Sequence, residues 1–74
     1  MTSQQERCDE LAAHATEIMR KVRDLSVADV LELANQEANV ATYSHNDWIA
    51  AVHHLQLSNL CLTEAVQRLL RGAQ

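Results

Sequence analysis

Apolar residues recur along this chain at steps of three and four, the spacing that gathers side chains on one face of an α-helix. In the first third they fall at Cys8, Leu11, Ala15, Ile18, Val22 and Leu25, with Ala12 and Met19 widening the stripe. This predicts a helix over about 4–25. Carrying the same register past Ser26 would put Asp29 and Glu32 in the core, so the pattern must restart there. A second helix is predicted over 27–42, with Val27, Val30, Leu31, Ala34, Ala38 and Ala41 on one narrow, alanine-rich face. Glu32, Asn35, Gln36, Glu37 and Asn39 make up much of the remainder. Small side chains permit close approach of a neighbour but bury little area each.

Residues 42–46 read as the one convincing loop, and a long third helix is predicted over 46–71. Gly72, the only glycine, stands where a left-handed residue would end it. Three serines mark candidate helix starts, because each is followed three residues later by an acid: Ser3 with Glu6, Ser26 with Asp29, Ser44 with Asp47. In such a box the hydroxyl accepts from an orphan N–H of the first turn and the acid reaches back to the serine. Leu25 with Val30, and Tyr43 with Trp48, have the spacing of the accompanying hydrophobic pair.

The third helix carries the strongest pattern. Trp48, Val52, Leu55, Asn59, Leu62, Val66 and Leu69 alternate steps of four and three, as a heptad seam does. Ile49, Leu60 and Leu70 flank it on one side, and Ala51, Ser58, Cys61 and Ala65 on the other. So wide an apolar arc calls for neighbours on more than one face. A short alanine-rich helix and one longer helix from the same chain fall short of covering it, which predicts a homodimer or a helical partner. Asn59, an amide within the seam, is a candidate for fixing register against its symmetry mate.

With 74 residues, this is a single small domain over 1–74, of a size that often enlists a staple or a partner subunit. Cys8 and Cys61 form no CxxC and sit at apolar helical positions, where reduced cysteines act as small hydrophobes. The net charge of −4, with only six basic residues, argues against nucleic-acid binding. Their one cluster, Arg20, Lys21 and Arg23, is flanked by Glu17 and Asp24. A helix-turn-helix reading also fails, since the would-be recognition helix has no Lys or Arg before Arg68. No apolar run reaches the length of a membrane span. The polar opening Met1 to Glu6 lacks a basic and an apolar export region, so a cytoplasmic protein of bacterial or phage type is expected.

Chemistry is sparse. No phosphate loop, nucleophile elbow or HExxH is present, and no enzyme, cofactor or small-molecule substrate is expected. Asp9 with Glu10, and Glu32 with Glu37, read as helix-surface carboxylates. His53 and His54 are adjacent and point about 100° apart on a helix, so they do not chelate together from one face. His14 and His45 have no liganding neighbour at useful spacing, and no metal is expected. His53, flanking the seam, reads as a hydrogen-bonding group across a helix contact. Tyr43, His45, Asn46 and His53 are candidate partner contacts at the start of the third helix.

The sequence therefore predicts an all-α, three-helix domain in up-down-up order that completes its core by homodimerisation. The alternative is a long hairpin whose first two helices merge through a kink near Ser26. The functional expectation is a small acidic regulator or inhibitor that binds another protein by helix packing. That partner is a helical target at the seam, or a basic regulator at the acidic outer surface. A secretion-type co-chaperone, a plain oligomerisation module and a metal or ligand sensor are the alternatives. Nothing in the residues specifies the target.

Overall fold

The structure, a computed structural model, describes residues 2–44 and 46–72, with side chains from Gln4 onward. These residues form three helices, α1 (Thr2–Val22), α2 (Val27–Thr42) and α3 (Trp48–Gly72), and no strand. Three cross-helix contacts fix the directions. Arg7 pairs with Asp47 at the start of α3, His14 meets His53, and Arg68 near the end of α3 reaches Val22 at the end of α1. So α1 and α3 run parallel and α2 runs antiparallel to both, as the up-down-up order requires. The body is elongated, 50 × 21 × 14 Å. A true turn separates α1 from α2, with Asp24 N–H on Lys21 O at 3.1 Å and Leu25 N–H on Val22 O at 3.2 Å. The merged-helix alternative is thereby excluded.

The caps explain where prediction and structure part. Ser26 has extended backbone (φ −67°, ψ 162°) and its Oγ accepts from Asp29 N–H at 3.2 Å, so α2 starts as expected. Ser26→Ala should lower stability by about 1 kcal/mol, read as a shifted urea midpoint with unchanged slope. Ser44 does not cap α3. Its hydroxyl turns backward and donates to Val40 O at 2.7 Å, closing α2 instead. Asp47 takes the role, its Oδ1 accepting from Ala50 N–H at 3.3 Å, so α3 begins at Trp48 rather than 46. With the cap moved, Tyr43 and Trp48 are not a staple. They are 82% and 72% exposed. Ser3 lies inside α1, which starts at Thr2, and its side chain is outside the described residues. At the other end α1 stops at Val22, three residues early, because the turn claims residues 23–25. Gly72 is the last helical residue and has no positive φ, so it is not a left-handed stop.

The core is small and sits where all three helices meet. Ile18 and Val22 from α1, Val30 and Ala34 from α2, and Leu57, Cys61 and Ala65 from α3 are buried together. Leu25, Val27 and Leu33 pack against them. Small residues on the facing sides of α2 and α3 bring the two backbones close. Ser58 Oγ on α3 can therefore donate to Ala34 O on α2 at 2.8 Å. α1 ends on a clasp from far along the chain. Arg68 donates to Val22 O at 2.6 Å and to Leu25 O, satisfying carbonyls that the helix end leaves open. It also pairs with Glu64 at 2.9 Å. Among the described residues no helix is long and apolar enough to cross a membrane.

Candidate functional site

The predicted seam of α3 lies on its outer side. Trp48 is 72% exposed, and Val52, Leu55, Leu62, Val66 and Leu69 all remain exposed, as does Asn59 between them. Leu57, nine residues beyond Trp48, is half a turn away at about 100° per residue, and it is the large α3 side chain that enters the core. The heptad strip is thus not the face α3 gives to its own chain. α1 and α2 cover the other side. Leu60 and Leu70 add to the exposed apolar surface of the same helix. An extended apolar strip of this kind is what marks an interaction site on a protein surface. From Trp48 to Thr63 the helix carries no Lys, Arg, Asp or Glu. Depletion of charge is what distinguishes the centre of an interface from ordinary surface.

A second cluster lies where the three helices meet. His14 Nδ1 and His53 Nε2 share a hydrogen bond at 3.0 Å. His54 Nδ1 donates to Glu37 Oε2 at 2.6 Å. The three rings stand 5.0–5.8 Å apart by centroid. Glu37 is not a surface carboxylate but a buried one, 6% exposed, projecting from α2 toward α3. His53 is likewise buried, and its expected role of bonding across a helix contact is what the structure shows. Burial above all, then charge on His54 and His14, holds His53 below the ordinary histidine value, with Glu37 pulling the other way. Burial, then Glu37, pushes the Cys61 thiol up. No group of three or more His, Cys, Asp or Glu among the described residues is arranged to hold a metal ion.

The remaining candidates scatter. Tyr43 and Asn46 are exposed on the α2–α3 connection, and His45 lies outside the described residues. Cys8 is exposed rather than buried, in a shallow groove between α1 and α3 that it shares with Leu11, Trp48 and Val52. Both cysteines are free. Missed from the sequence were Glu37 and His14, although each stands at core spacing. His14 lies three residues after Leu11 and four before Ile18, and Glu37 lies three after Ala34 and four before Ala41. No protein-family model, curated protein or solved structure matches this chain.

Proposed function

We propose that the chain is a non-catalytic regulator that works by helix packing. A target protein lays a helix along the outward strip of α3, and in its absence two copies of the chain cover the strip for one another as a homodimer. The strip is the observation that carries this reading: it is apolar, uncharged over its N-terminal two thirds, and exposed along its length, with only its first turn, Trp48 and Val52, bordering α1 across a shallow groove. Leu62 and Val66 stand at heptad spacing with Leu55 and Leu69, the arrangement that a second helix fills with knobs into holes. Asn59, halfway along, meets its own counterpart in a two-fold pair and sets the register there. Target and second copy compete for one surface, so the free dimer is a store and the complex with target is the working form.

Sedimentation equilibrium tests this directly. Over about 1 to 100 μM the mean mass should climb from the 8.3 kDa monomer toward twice that value, as mass action requires. A peptide helix or target that binds the strip should drive the dimer apart. Constant mass at 8.3 kDa, together with no protein held on a column bearing the chain, would remove the proposal.

A further inference from the structure

The two halves of α1 are held unequally. Its C-terminal half enters the core through Ile18 and Val22 and is clasped by Arg68. Its N-terminal half has no buried side chain: Leu11 is half-buried, and Cys8 and Ala12 are exposed beside the groove to α3. The polar ties of this half to α3 are the solvent-facing Arg7–Asp47 pair and the His14–His53 hydrogen bond. The helix resembles a lever fixed at one end and seated through two imidazoles near its middle.

A hydrogen bond between two imidazole nitrogens needs one N–H and one lone pair. The neutral pair supplies both, and so does a pair sharing one extra proton. When both rings are cationic, both facing nitrogens carry hydrogen, and attraction becomes repulsion between neighbouring like charges. His14 from α1, Glu37 from α2 and His54 from α3 are the titratable groups around His53. Glu37 is already engaged by His54 at 2.6 Å.

We propose that His14, His53, His54 and Glu37 form a proton-operated latch. Protonation of the cluster breaks the His14–His53 bond, and the N-terminal half of α1 loosens from α3 while Ile18, Val22 and the Arg68 clasp hold the rest of the helix. The groove lined by Cys8, Leu11, Trp48 and Val52 then opens. The direction of the titration agrees. His53 docked against His14 binds its proton less readily than a free histidine, whose value is 6.5. Parting α1 from α3 removes the His14 charge and part of the burial that lower the His53 value, so the detached form holds the proton more readily and the docked form loses ground as pH falls below 6.5.

The chain carries its own reporters. Cys8 is an exposed thiol on α1, Trp48 is the sole tryptophan, and both line the same groove. Cys61 is buried with a raised thiol pKa and stays unlabelled. A nitroxide on Cys8 should quench Trp48 at about pH 7.5 and release it as pH falls toward about 5, with the unlabelled chain as reference. The expected result is at least a two-fold loss of quenching, reversible, with a midpoint below 6.5 and helical circular dichroism retained. His14→Gln keeps a hydrogen-bonding amide but has no proton to gain, and should hold its quenching throughout. In the unlabelled chain, amide exchange over residues 4–17, corrected for intrinsic rates, should speed up below the midpoint while α2 and α3 stay protected. Quenching that does not change, the same transition in His14→Gln, or helicity lost along with quenching would each overturn the latch.

Discussion

Leu57→Ala should remove about 2–5 kcal/mol of stability, enough to unfold much of the population, since a core of this size supplies about 3–5 kcal/mol. Leu57 is 1% exposed and is the largest of the fully buried side chains, ahead of Val22, Val30 and Cys61. Removing it takes away its transfer free energy and also leaves a cavity between helices whose backbones cannot close further, because small residues already bring α2 and α3 together. Leu55, two residues earlier, is half exposed on the strip. Leu55→Ala in the monomer should change stability by only about 0.5 kcal/mol. Urea unfolding followed by circular dichroism, at a protein concentration where the chain is monomeric, compares the two. If Leu55→Ala proved the costlier substitution, the heptad strip would be the core and the placement of α3 would be wrong.

The second large effect falls on association and not on folding. Leu62→Glu with Val66→Glu places two carboxylates on positions that are 42% and 52% exposed, where water continues to solvate them in the single chain. Helicity and urea midpoint should stay close to those of the parent. Across a helix pair the same carboxylates lose their water without gaining partners, a cost of several kcal/mol. Self-association should weaken by at least about 100-fold, equivalent to about 2.7 kcal/mol. Sedimentation equilibrium reads the loss, and circular dichroism on the same samples reads the fold. An association constant unchanged by both glutamates would show that copies meet elsewhere.

The helices and their order were legible in the residues, because capping and apolar spacing act locally. Ser26 announced α2 through its own hydroxyl, and the break in register at Asp29 and Glu32 forced a turn that the structure contains. Ser44 misled because a serine between two helices can serve either, and here its hydroxyl donates a hydrogen bond to the open carbonyl of Val40. The inward face of α3 was harder to find for a different reason. The helix has two apolar arcs. One carries Trp, Val and Leu in a regular heptad. The other runs Ala50, His54, Leu57, Cys61, Ala65 and Arg68, where Leu57 is the one large apolar side chain among small and polar ones. Hydrophobic weight favours the first arc. Close packing against the alanines of α2 selects the second, since only small side chains let Ser58 reach Ala34 O. The histidine cluster combines residues 39 positions apart, a pairing that no local spacing reveals.

Arg68 also has a consequence for how the chain is made. Its bond to Val22 O spans 46 residues, the longest separation among the described hydrogen bonds. On the ribosome α1 emerges first, at about 5–20 residues per second, yet its end cannot be closed until residue 68 has cleared the exit. For that interval the growing chain carries an amphipathic helix that has α2 beside it but not yet the α3 residues that complete its core. Of the three helices, the first to be made is the one that waits longest for its place, and during that wait its apolar face is what a chaperone would meet.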